Sequence, residues 1–139
     1  MTATEAEKVT GELGKARLRK EDERLITGQT NWTDNIQLPG MLHIAFLRSP
    51  YAHARITSVD VSAARSEPGV IAAYAGADFA GEQGSLPCAW PVTPDIVIPA
   101  HPPMAVDEVR YVGEAVACVV ARDRYAAADA LAAIEVDYE

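Results

Sequence analysis

Beyond Arg24 the chain has no lysine, and its six arginines there face fourteen aspartates and glutamates. A nucleic-acid surface needs clustered Lys and Arg to displace counterions from phosphates, which a net charge of −8 does not supply. The segment up to Arg24 is different, dense in charge but balanced, with six basic and six acidic residues. Cysteine is nearly absent: Cys88 and Cys118 stand far apart and neither belongs to a CxxC pair. Cys118 lies inside an apolar run, where a free thiol behaves as a small hydrophobe. No apolar run approaches the roughly 18–20 residues of a membrane span. The opening MTATEAEKVTGELGK has no apolar stretch that would make it a signal peptide. Together these features lead us to expect a protein of the reducing cytoplasm, in which the sequon Asn31-Trp32-Thr33 is a chance match.

Catalytic signatures are missing as well. His43, His53 and His101 are too scattered for a metal motif such as HExxH. Gly11 to Lys15 lacks the GxxxxGK[ST] spacing of a phosphate loop, and Gly76 to Gly81 lacks the glycine spacing of a dinucleotide fingerprint. There is no GxSxG elbow. Glu114, beside Gly113, reads as an exposed turn carboxylate in preference to a site acid. No catalytic, cofactor-binding or metal-ligating residue is assigned from the sequence.

What is present is a fold signal. A chain of 139 residues with 49% hydrophobic residues suits one domain with a real core. Its clearest unit is VGEAVACVVARDRYAAADALAAIEVDY, Val112 to Tyr138. Ala115 to Ala121 is an unbroken small-apolar run, as in a strand buried on both faces. Asp123 is placed to cap an alanine-rich helix from Arg124 to Ala133. Ile134 to Tyr138 then alternates apolar and acidic residues, which predicts a half-buried strand.

Upstream, Lys15 to Thr27 can place opposite charges three or four residues apart on a helical turn, with Leu25 and Ile26 available for burial. Gly28 is a plausible stop, and Trp32 is expected to pin the turn-rich loop that follows. Strands are expected at Met41 to Arg48, Ile56 to Val61 and Val70 to Tyr74. A short helix at Ser62 to Ser66 ends at Pro68-Gly69. This strand–helix–strand order echoes Val112 to Tyr138 and implies helices sharing one face of a mixed sheet. Gly76 to Ala105 is proline-rich and without clear pattern, apart from a possible edge strand at Asp95 to Ile98, so it reads as a binding loop, interface or flap. Gly113 suits a tight turn or a close backbone approach. The arm Met1 to Gly14 and the proline-rich loop are both expected to be mobile.

One stretch, LRKEDERLITGQTNWTDNIQLPGMLHIAFLRSPYAHARITSVDVSAA (Leu18 to Ala64), closely resembles the start of the large molybdenum-binding subunit of the xanthine dehydrogenase and aldehyde oxidase family, most of all its carbon monoxide dehydrogenase branch. The second half agrees through Glu67-Pro68-Gly69-Val70, Gly76-Ala77-Asp78, Pro102-Pro103 and VRYVGEAVACVVARDRYAAADALAAIEVDYE. Where relatives often read Gly-Glu-Pro-Val, this chain has Gly113-Glu114-Ala115-Val116.

The resemblance implies an α+β, α/β-hammerhead fold, with residues 18–139 as the domain and 1–17 as a flexible charged arm. It also implies a domain-sized piece, a scaffold and subunit interface that is not catalytic alone, with no cofactor in this chain. A molybdopterin-type molybdenum cofactor is implied for the full-length subunit, and [2Fe-2S] clusters and FAD for partner subunits. The alternative is a stand-alone binding or assembly module that keeps the hammerhead fold.

Overall fold

The apolar run after Gly113 becomes the middle strand of a three-stranded sheet. In the computed structural model, which describes residues 14, 18–88, 90 and 92–139, two compact units separate at Pro39 and Gly40. In the first unit a short helix, α1 (Asp22–Ile26), is preceded by an Arg19 Nε to Asp22 Oδ1 pair at 2.9 Å, the charge spacing anticipated for this segment. The expected burial is incomplete: Leu25 is half-buried, Ile26 is 84% exposed, and no residue of α1 is fully buried. Five residues are too few to present a continuous apolar stripe. Trp32 is likewise exposed. The turn at Thr33–Asn35 is held instead by bonds between Trp32 and Asn35, with the Trp32 N–H donating to the Asn35 side-chain Oδ1 at 3.1 Å and the Asn35 N–H to the Trp32 carbonyl at 2.9 Å. The arm predicted at 1–17 lies outside the described residues, save Gly14.

Among the described residues the second unit carries six strands: β1 (His43–Arg48), β2 (Ala54–Asp60), β3 (Val70–Ala75), β4 (Glu108–Val109), β5 (Ala115–Ala121) and β6 (Glu135–Tyr138). They form two antiparallel sheets, β1-β5-β3 and β4-β2-β6, in place of the single mixed sheet anticipated. Each strand–helix–strand segment carries the chain from one sheet to the other. Strand β2 leads through α2 (Ser62–Ser66) to β3, and β5 leads through α3 (Arg124–Leu131) to β6. The reason is geometric. A parallel crossover needs about a dozen residues or more, which 61–69 does not provide, and β5 already has a partner on each edge. Asp95 to Ile98 forms no strand, since the prolines on both sides remove ladder donors.

Both helices pack on the same face of the first sheet, as expected. Ala45, Val119 and Ala73 lie side by side across β1, β5 and β3, as do Leu47, Ala117 and Ala75, and this face meets Ala64 of α2 and Ala127 and Ala130 of α3. Small side chains on both surfaces allow a close approach. Asp123 Oδ1 accepts from the N–H groups of Tyr125 and Ala126, both at 2.9 Å, which satisfies two of the donors that a helix start leaves open. A second apolar cluster of Ala105, Val109 and Val116 packs with Ala54, Ile56 and Tyr138, and Val59 and Val136 touch both clusters. These two valines join the two sheets into one core.

The proline-rich loop is tied at two levels. At its ends, Gly76 comes so near Ala105 that a Cβ on Gly76 would lie 2.0 Å from the Ala105 carbonyl oxygen. Further out, the Leu86 N–H donates to the His101 carbonyl and the His101 N–H to Ser85 Oγ, both at 2.7 Å. Gly113, at φ +92° with nothing within 4 Å of its would-be Cβ, provides the tight turn, and the close approach belongs to Gly76. We expect Gly76→Ala to destabilise the fold by about 1–3 kcal/mol through overpacking against backbone. Gly84→Ala, where the space is open, is expected to stay within about 1 kcal/mol. Urea-unfolding midpoints of the two variants check this.

Candidate functional site

The turn that carries Glu114 is a densely hydrogen-bonded junction of the second unit. The Gly113 N–H donates to the Ser49 carbonyl and the Ser49 N–H to the Glu114 carbonyl, both at 2.8 Å. Arg48 Nη1 donates to the Gly113 carbonyl at 2.8 Å, and Glu114 Oε2 accepts from the Arg110 N–H at 2.5 Å. Glu114 is therefore not the exposed carboxylate read from the sequence: it is 3% exposed, folded back over its own turn. A buried carboxylate needs a donor to offset its desolvation, and here the donor is backbone. Its role is to hold the turn.

The three histidines stay apart. His43 is on β1, His53 Nε2 lies 3.1 Å from Glu108 Oε2, and His101 Nε2 lies 3.3 Å from the Tyr111 hydroxyl. Among the described residues no three His, Cys, Asp or Glu side chains converge in a way that could hold a metal ion. Cys118 is buried and Cys88 exposed, and both are free thiols. Burial pushes the Cys118 thiol above its ordinary pKa, which suits the small-hydrophobe reading.

One charged constellation escaped the sequence. Glu108 on β4 receives His53 on one oxygen and Arg110 Nη2 on the other at 2.8 Å, next to a shallow cleft of about 250 Å³ that Arg55 and Glu139 also line. The His53 hydrogen bond first, and the Arg110 charge second, hold the Glu108 carboxyl below the usual glutamate range. Both carboxylate oxygens are engaged and no nucleophile adjoins them, so the cluster staples β4 to the start of β2. A larger cleft of about 380 Å³ between Gly81–Ser85 and Val106–Arg110 offers only Asp107 and Arg110 as ionisable groups. Neither cleft gathers the acid, base and electrophile that catalysis needs.

What the second unit does present is apolar surface. On the face of the first sheet away from the helices, Ile44, Val120 and Ala72 form one cross-strand row and Phe46, Cys118 and Tyr74 the next. Ile44 is 55% exposed, Phe46 40% and Tyr74 37%. At the far end of the proline-rich loop Trp90, Val92 and Val97 are more exposed still. The sequence held a signal for the sheet face: HIAFLR has apolar residues at consecutive positions, where a strand with one wet face would alternate. The Glu108 cluster had no such signal, because 55 positions separate its partners.

Comparison with known proteins places this arrangement. A family model described as "Aldehyde oxidase and xanthine dehydrogenase, a/b hammerhead domain" matches residues 27–139. The chain is 42% identical over 138 residues to the carbon monoxide dehydrogenase large chain of Afipia carboxidovorans, covering 99% of this chain and 16% of that one. It is 39% identical over 127 residues to the nicotine 6-hydroxylase large subunit of Paenarthrobacter nicotinovorans, covering 91% of this chain and 15% of that one. Among solved structures, quinoline 2-oxidoreductase from Pseudomonas putida 86 superposes with a TM-score of 0.78 at 44% identity, over 91% of this chain and 16% of the other. The chain thus spans about a sixth of the length of the relatives it matches.

Two measurements test the local chemistry. With iodoacetamide at neutral pH, Cys88 is expected to react readily and Cys118 only once denaturant opens the sheet, as peptide mapping of labelled protein will report. For Glu108, a folded pKa below the unfolded one means stability that is present above the ordinary value of about 4.3 and lost as pH falls through the folded pKa. Glu108→Gln should therefore lower the unfolding midpoint slightly at neutral pH, and the difference should close in acid. A gap that widens in acid contradicts the assignment.

Proposed function

Because this chain belongs to the aldehyde oxidase and xanthine dehydrogenase a/b hammerhead family, we propose that it is the N-terminal structural domain of a molybdenum hydroxylase large subunit, a scaffold and subunit interface that performs no chemistry alone. The observation that carries this reading is the family match over 27–139, which takes in all six strands while the chain spans only 16% of a curated relative. Residues 18–139 form the domain and 1–17 the charged arm. That arm and the exposed apolar tip of the proline-rich loop are the contacts to neighbours. Prolines suit the loop to this task because they reduce the conformational freedom lost when a partner is met.

The parent enzyme oxidises a small substrate, of the carbon monoxide, aldehyde or purine kind, at a molybdopterin-type molybdenum cofactor. It passes the electrons through [2Fe-2S] clusters to FAD held by partner subunits. We assign the molybdenum site to other domains of the large subunit, a reading supported by the chain's spanning about a sixth of the length of its relatives. No helix among the described residues is long and apolar enough to cross a membrane.

The test is direct. Purified as the 139-residue chain, the protein is expected to contain no molybdenum by elemental analysis and to oxidise neither carbon monoxide, aldehydes nor purines; turnover by this chain alone would sink the proposal. Reading the gene beyond the Glu139 codon separates it from the stand-alone module, for which an immediate native stop is expected.

A further inference from the structure

One residue closes the neck of the proline-rich loop and also ties it to the body. The His101 carbonyl accepts from the Leu86 N–H and the His101 N–H donates to Ser85 Oγ, so the two chains of the neck meet there. Its ring reaches the body: Nε2 lies 3.3 Å from the Tyr111 hydroxyl, and the two rings meet edge-on at 85° with centroids 6.2 Å apart. Tyr111 is a fixed post. Its carbonyl accepts from the Glu114 N–H at 3.2 Å, within the turn that Ser49 and Arg48 also hold. Just past His101 the chain enters the core, with Met104 and Ala105 buried. Outward of the neck the reverse holds. Among the described residues of 87–100 no hydrogen bond, ion pair or ring contact runs to the body, and Trp90, Val92 and Val97 are strongly exposed.

We propose that the His101 ring is a latch for the apolar tip of the loop. Seated on Tyr111 it fixes the direction in which Trp90, Val92 and Val97 project; lifted from Tyr111 it frees 87–100 to swing as a unit about the neck while both sheets stay folded. Pro99 on one side of His101 and Pro102-Pro103 on the other make this possible. Proline fixes its own φ and restricts the residue before it, so this stretch is a stiff strut, and whatever holds the ring sets where the tip points. The magnitudes decide which tie opens. A single exposed hydrogen bond biases an equilibrium only about three- to tenfold, so both positions of the ring are populated. The contact of Gly76 with Ala105 is backbone packed into the core and stays shut. This rests on the reading that the tip meets neighbours, and it adds how the tip is presented to them. A tip already held in one direction loses less freedom when a partner is met.

Amide hydrogen exchange and backbone relaxation of the 139-residue chain read the latch directly. His101→Ala keeps both backbone bonds of the neck and removes the ring, whereas Tyr111→Phe removes only the hydroxyl. In His101→Ala the Leu86 N–H is expected to exchange about three- to tenfold faster, with lower order parameters at Val92 and Val97 and no change in the amides of β5. Tyr111→Phe is expected to shift the same readings in the same direction by a smaller factor. Unaltered Leu86 exchange in His101→Ala overturns the proposal. Faster Leu86 exchange with unaltered order parameters at Val92 and Val97 also overturns it, because the ring then only seals the neck. Equal acceleration in β5 overturns it as well, because the ring then supports the whole fold. Should His101→Ala fail to fold by circular dichroism, Tyr111→Phe carries the same three outcomes. The functional reading fails by a different result, turnover by the 139-residue chain alone, which these exchange rates do not report.

Discussion

Strand β5 is buried from both sides, and the rest of the second unit is arranged to make that possible. Val116, Ala117, Cys118, Val119 and Ala121 are each less than 5% exposed. Such a strand needs a partner on each edge and a layer over each face. Strands β1 and β3 provide the edges, and the two helices cover one face. Alanine and valine keep the strand thin, so α3 can approach it closely through Ala127 and Ala130. At the start of β5, Val116 turns the other way to join Val109 and Ala105 beneath the second sheet. The same strand thus contributes to both apolar clusters. Its entry is fixed by the Ser49, Gly113 and Glu114 backbone bonds and its exit by the Asp123 cap, so its register cannot slip without breaking one or the other.

The features that were legible in the sequence are those written locally. The run Ala115 to Ala121, the cap at Asp123 and the alternation from Ile134 to Tyr138 each report their own burial, and each appears within a residue or two of where the pattern places it. Sheet membership is not written locally. Ile56 to Tyr74 reads as strand, helix, strand whether the second strand pairs with the first or crosses to another sheet. Only the occupied edges of β5 decide this, and they depend on residues some 70 positions away, at His43 to Arg48. Glu114 was misjudged for the same reason. Its neighbours in sequence suggest an exposed turn, whereas in the fold Arg48 and Ser49, some 65 positions earlier in the chain, lie against that turn at the end of β1.

Function was legible in a different manner. Among the described residues the charged cluster of His53, Glu108 and Arg110 satisfies itself. The family became recognisable through many ordered short motifs, and most of these turn out to be structural. Gly76 exists for a close approach, Gly113 for a turn and Asp123 for a cap. Within this domain those matched residues act on how the chain folds.

The double tie beneath the proline-rich loop bears on how such a protein can be altered. Because Gly76 meets Ala105 and Leu86 meets His101, the segment between Leu86 and His101 enters and leaves through a closed neck. Lengthening an already closed loop adds only a logarithmic entropic cost, roughly 0.6 kcal/mol per doubling. Residues can therefore be gained, lost or exchanged there without disturbing the register of any strand. The neck separates a body held by packing from a tip whose length the strand register does not depend on.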